Sequence, residues 1–130
     1  MVTVLVVEDN AVTRNIVRLA LSAQGYRVLE AADGASAIST MTEQRPDLVI
    51  QDLALPDIDG MNLAQILHRL PGCGDVPIIA FSAFVDKLQE VRTTHDIFRA
   101  FLPKPILPSK LIDLVKRITS HEQQGQAVNS

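Results

Sequence analysis

Short apolar runs rich in branched side chains alternate with segments of helical spacing along almost the whole chain. This alternation constrains the fold more than any other feature. The runs are VTVLVV (2–7), RVLEA (27–31), DLVIQ (47–51), VPIIAF (76–81) and, more weakly, RAFL (99–102). Between them, Val12, Ile16 and Ala20 set a first helical stripe, with Val17 and Leu21 beside it. Ala37, Ile38 and Met41 mark a second stripe, and Leu63, Ile66, Leu67 and Leu70 a third. Leu88 and Val91 mark a fourth, and Leu111, Ile112, Val115 and Ile118 a fifth. Strands alternating with helices build βαβ units on a parallel sheet, an α/β architecture with helices on both faces. The runs at 2–7 and 76–81 are apolar throughout, as central strands covered on both sides must be.

Punctuation supports this reading. Gly25 and Gly34 fall at element junctions, and Pro108 stands where a helix can begin. Pro103 makes the last run an edge strand, because it cannot donate to a ladder. Thr93 and Thr94 weaken the fourth helix. Beyond Ile118 the apolar period stops. The expected division is therefore one domain over 1–119 and a polar, flexible tail over 120–130. A chain of 130 residues is long enough for one buried core. Its formal charge of −3 and lack of basic runs argue against nucleic-acid or membrane-surface partners. No segment approaches the length of a membrane span, and the N-terminus lacks the features of a signal peptide. A cytoplasmic protein is expected.

Polar residues fall at the ends of the strands. The first run leads into Glu8 and Asp9, the third into Asp52, the fourth into Ser82 and the fifth into Lys104. In an open parallel sheet all of these gather at the carboxyl edge, where ligands bind. Two carboxylates about 4 Å apart, at an effective dielectric near 20, repel by roughly 4 kcal/mol. Three such groups call for a cation, and an all-oxygen donor set suits Mg²⁺. Lys104 and the Ser82 hydroxyl can hold phosphoryl oxygens, and an aspartate can accept a phosphoryl group. Asp52 is therefore a candidate nucleophile. Asp9 can equally cap the first helix, with Asn10 competing for that place. Asp57 and Asp59 fit a turn around Gly60. An EF-hand reading of DIDG fails, because Leu55 and Ile66 would occupy ligand positions.

VLVVEDN, DLVIQDLALPDIDG, FSA and FLPKP, in this order and spacing, resemble the receiver domain of two-component response regulators from about residue 3 to 118. The resemblance implies a doubly wound, five-stranded, flavodoxin-like fold with strand order 2-1-3-4-5. It implies that Asp52 takes a phosphoryl group from a phosphohistidine on a sensor histidine kinase or a histidine phosphotransfer protein. Asp9 and Asp52 would bind Mg²⁺ directly, Glu8 through water, and Ala54 through its backbone carbonyl. With Asp52 and Lys104 in place, the metal reading of Asp9 outweighs the cap. Ser82 would be the switch hydroxyl and Phe101 the switch aromatic. Lys104 would pair with the phosphate, its bond to Pro105 being often cis. Ala83 is small where the family favours a small residue.

The implied function is a stand-alone switch acting on a downstream protein target, with a homodimer possible. It is not an enzyme beyond its own phosphorylation and dephosphorylation. A metal-dependent phosphohydrolase is disfavoured by Ala54, where such enzymes carry a second acid. A nucleotide or flavin binder lacks its glycine loop. A phosphorylation-independent interaction module on the same fold is the alternative. Phe81 and Phe98 are expected in the core, Phe84 and Phe101 on a partner-binding face. His68, His95 and His121 are expected to face solvent, and Cys73 to be an incidental loop thiol.

Overall fold

Three strands of the chain are buried along their entire length, and they form the middle of a five-stranded parallel sheet. The computed structural model describes residues 1–84, 89 and 97–129, with side chains through Ser120. The strands are β1 (Thr3–Val7), β2 (Arg27–Ala31), β3 (Leu48–Asp52), β4 (Ile78–Ser82) and β5 (Ala100–Pro103). Their order is β2-β1-β3-β4-β5, and every pairing is parallel. The described helices are α1 (Ala11–Ala23), α2 (Gly34–Glu43), α3 (Gly60–Arg69) and α4 (Pro108–Asn129). The helical stripe expected around Leu88 and Val91 lies outside the described residues.

Alternation along each strand splits the core into two layers. Leu5, Val7, Val49 and Ala80 face Ala37 and Met41 of α2 and Leu63 and Leu67 of α3. Val4, Val6, Leu48, Ile50 and Phe81 face Val17 and Leu21 of α1 and Leu111, Val115 and Ile118 of α4. Phe81 and Phe98 are buried as expected. Residues facing both ways along β1, β3 and β4 explain their unbroken apolar character. The edge strands β2 and β5 are less buried.

Several boundaries and faces differ from expectation. Strand starts move one or two residues toward the C-terminus, except in β2. On α1 the buried face carries Val17 and Leu21, while Val12 is 68% and Ile16 45% exposed. This helix has two apolar stripes, and spacing alone does not choose between them. The C-terminal helix continues through Asn129, where a tail was expected from residue 120. No proline interrupts 120–129, so nothing in the backbone forces the helix to stop at Ile118. Cys73 is buried in the core beneath α3, its Sγ donating weakly to the Pro71 carbonyl at 3.6 Å. His68 is half-buried, its Nε2 donating to the Val76 carbonyl at 3.0 Å. His95 and the side chain of His121 lie outside the described residues.

Candidate functional site

The carboxyl edge of the sheet brings together residues almost a hundred positions apart. β1 delivers Glu8 into a turn whose next residues are Asp9 and Asn10. Asn10 caps α1, its side chain accepting from the Thr13 N–H at 3.0 Å. The competition for the cap is thus settled against Asp9. Glu8 is fully buried and Asp52, the last residue of β3, is nearly so. The Lys104 ammonium arrives from the end of β5. It donates to both Glu8 oxygens at 3.1 and 2.9 Å and to Asp52 Oδ2 at 2.9 Å. Its Nζ also lies over the Phe81 ring, 5.0 Å from the ring centre, at cation–π distance. The Lys104 N–H donates to the Ser82 carbonyl at 2.9 Å, and the Lys104–Pro105 peptide bond is cis.

Burial first, and then the hydrogen bond shared with Asp52, push the Glu8 carboxyl up to about 7 against the pull of Lys104. Burial works to lower Lys104, but Asp52 and Glu8 overcome it and raise the ammonium above its ordinary value. The two shifts differ in sense: the ammonium form of Lys104 is reinforced, whereas crowding of buried acids works against the ionised form of Glu8. One ammonium balances two carboxylates, and Asp9 adds a third. Glu8, Asp9 and Asp52 each offer a carboxylate oxygen within 4.8 Å of the others. Such a donor set, hard and all oxygen, fits a small divalent cation.

The remaining expected residues stand around this cluster. Ala54 follows on an exposed position, its N–H donating to Asp52 Oδ1 at 3.0 Å. Ser82 is buried at the end of β4, in register beside Pro103. Its hydroxyl accepts the Phe84 N–H at 3.0 Å, so it is turned onto its own loop. Phe101 is half-buried and meets Phe98 edge-on, with ring centres 6.0 Å apart. Phe84 is 61% exposed.

Other residues that shape the site carried no separable signal in the sequence. Asp57, expected only as a turn residue, reaches across to α2 and accepts the Gly34 and Ala35 N–H groups at 2.9 and 3.0 Å. Asp59 caps α3 through the Met61 N–H at 3.1 Å. Gln51, a polar break in an apolar strand, donates from Nε2 to the Gly60 carbonyl at 2.6 Å. Gly60 needs its missing side chain, since a Cβ would lie 2.5 Å from Leu53 Cα. Arg14 donates from Nη1 to the Glu8 carbonyl at 2.7 Å. At the amino ends of the strands, far from Asp52, a groove of about 790 Å³ is lined by Val2, Arg45, Asp47, His68 and Arg99 among others.

A family model described as the response regulator receiver domain matches residues 4–116. The polar-differentiation response regulator DivK of Brucella anthropi is 31% identical over 114 residues, covering 88% of this chain and 93% of DivK. The chemotaxis response regulator CheY4 of Vibrio cholerae superposes with a TM-score of 0.82 at 28% identity, over 91% of this chain and 98% of CheY4. The receiver domain of the sensor histidine kinase PA1611 from Pseudomonas aeruginosa superposes with a TM-score of 0.78 at 29% identity. That alignment covers 88% of this chain and 94% of the other, whose structure has magnesium coordinated in the active site cleft. Among the described residues, no helix is long and apolar enough to cross a membrane. The family match spans the same strands that carry Glu8, Asp52 and Lys104 to one edge, so the chain belongs to the response regulator receiver domains of two-component signalling.

Proposed function

We propose that Asp52 accepts a phosphoryl group from a phosphohistidine on a sensor histidine kinase or phosphotransfer protein, in the cytoplasm, and that this switches a protein-binding surface. The observation that carries the reading is the Lys104 ammonium, bonded at once to Glu8 and Asp52 at 2.9 Å, with Asp9 completing the acidic cluster. Asp9, Asp52 and the Ala54 carbonyl would hold Mg²⁺, with Glu8 acting through water. The ion supplies charge neutralisation for the incoming phosphoryl oxygens.

An Asp52 oxygen attacks phosphorus, the P–N bond to imidazole breaks, and an acyl phosphate remains on the side chain. Lys104 exchanges its bond to Asp52 for one to a phosphoryl oxygen. Ser82 leaves the Phe84 N–H and turns toward the same group, and Phe101 rotates inward in concert. Ala83, being small, leaves room for this approach. The new group brings about −1.5 to −2 of charge, which biases the loop equilibrium.

Exposed apolar side chains support a docking role for the rim. Val12 lies shortly after Asp9, Phe84 after Ser82 and Leu107 after Lys104, and they are 68%, 61% and 52% exposed. Apolar exposure clustered around a polar pocket marks a surface that meets a partner. Phosphodonor and downstream target are both proteins, and a second copy of the chain is a further candidate for this rim.

Incubation with phosphoramidate, whose P–N bond mimics phosphohistidine, tests the reading. Mg²⁺-dependent gain of one phosphoryl group is expected, with none in Asp52→Asn. Partner binding unaffected by the label would favour a phosphorylation-independent module, and steady turnover of a phosphoester would favour a hydrolase.

A further inference from the structure

The turn that carries Glu8 and Asp9 is held from outside the pocket. The Glu8 N–H donates to the Ala31 carbonyl at 3.0 Å, completing the β1–β2 ladder. Its side-chain Oε1 accepts the Asn10 N–H at 3.2 Å. Its carbonyl oxygen, at the point where the strand turns into the site, receives the Arg14 guanidinium at 2.7 Å. Arg14 closes the first turn of α1 and is itself oriented from β2. Its Nε lies 3.4 Å from Glu30 Oε1, while Glu30 Oε2 is 3.8 Å from Arg18 Nε. One planar fork therefore serves a backbone carbonyl and a carboxylate together, a task suited to arginine and not to the point charge of lysine.

We infer that Arg14 is a positioning residue for the cation site, acting through the Glu8–Asp9 peptide. That peptide is planar, so anchoring the Glu8 carbonyl also fixes the Asp9 N–H on its other side. The direction in which Asp9 leaves the turn follows from this. Asp9 is the exposed member of the acidic cluster and has the least support of its own, so its placement depends most on the backbone. The inference rests on the reading of Asp9 and Asp52 as cation ligands.

Charge and geometry predict opposite effects, which makes the role testable. As a nearby positive charge, Arg14 opposes a divalent cation, and its removal would tighten binding. As a positioning residue, its removal must loosen binding, by about tenfold as for other groups that orient ligands from behind. The measurement is calorimetric titration of Mg²⁺ into the wild-type chain, Arg14→Met, Arg14→Lys and Arg45→Met. Arg45 also donates a guanidinium N–H to a backbone carbonyl, that of Gly72 at 2.6 Å, but at the far end of the sheet. Arg14→Met is expected to weaken Mg²⁺ binding about tenfold. Arg14→Lys, which keeps the charge and loses the fork, should fall between it and wild type, and Arg45→Met should match wild type. Thermal midpoints recorded alongside separate general destabilisation from loosened binding at a temperature well below the transition. If Arg14→Met fails to fold, Arg14→Lys carries the test. Equal or tighter Mg²⁺ binding in the Arg14 variants overturns the positioning role and leaves the reading of Asp52 standing. A wild-type chain that binds no Mg²⁺ overturns both.

Discussion

Lys104 is the residue on which the chemistry of the pocket turns, because it is the cation already in place between two buried acids. Removing it leaves Glu8 and Asp52 facing each other without compensation, and Asp52 without its partner for a transferred oxygen. Lys104→Ala is therefore expected to slow Mg²⁺-dependent phosphorylation by about 100-fold or more, the scale typical of losing one preorganised charge-stabilising donor. Time courses with phosphoramidate measure this, and a rate within a few-fold of wild type would contradict it. Ala54 belongs to the same scale. Its methyl group can neither activate nor orient a water two residues after Asp52, so no special acceleration of dephosphorylation is expected from that position. Ala54→Asn introduces an amide at that exposed position and is expected to shorten the lifetime of the phosphorylated state. An unchanged or longer lifetime counts against this.

Elements hold these residues in place, and here the sequence was only partly legible. Strand identity could be read because β1, β3 and β4 are covered on both faces and leave unbroken apolar runs. The inward face of α1 could not be read, since Val12 and Ile16 present as good a stripe as Val17 and Leu21. Burial decides between them, and Leu21→Ala should cost about 2–5 kcal/mol. Val12→Ala should stay within about 0.5 kcal/mol, both measured by denaturant unfolding. Equal costs would place the wrong face inward. Asp57 was legible as a turn residue but not as the partner of α2, because its two bonds span 22 and 23 residues. Gly34 permits that approach: a Cβ there would collide with Ile58 and press on Asp57. The bonds from Gly34 and Ala35 hold the Asp57 carboxyl below its ordinary value of 3.8. A carboxyl depressed in the folded state stabilises above its unfolded value, and the effect is lost as pH falls through the folded one. The thermal midpoint of Asp57→Asn should thus lie below wild type at neutral pH, with the gap closing below pH 3.8. A gap that persists unchanged in acid would show that the carboxylate charge is not what ties the β3–α3 loop to α2.

At the scale of the whole molecule, the parallel sheet converts sequence distance into proximity. Glu8 and Lys104 are 96 residues apart and share a hydrogen bond because β1 and β5 end at the same edge. The acids, the lysine and the serine were legible for this reason, each closing an apolar run. Arg14 and Gln51 were not, because their roles depend on contacts from helix to strand that no local pattern records. A domain ending near residue 119 remains a proposal, with Ile118 the last buried position of α4 among the described side chains. A chain ending at Ser120 is expected to keep the denaturation midpoint of the longer one. The proposed switch rests on a single bond, the acyl phosphate on Asp52. Borohydride reduction of the phosphorylated chain, followed by peptide mass spectrometry, locates that bond directly. Reduction is predicted at Asp52 and only after exposure to phosphodonor with Mg²⁺. Reduction at another carboxylate, or a phosphoryl label that resists borohydride, would contradict the account.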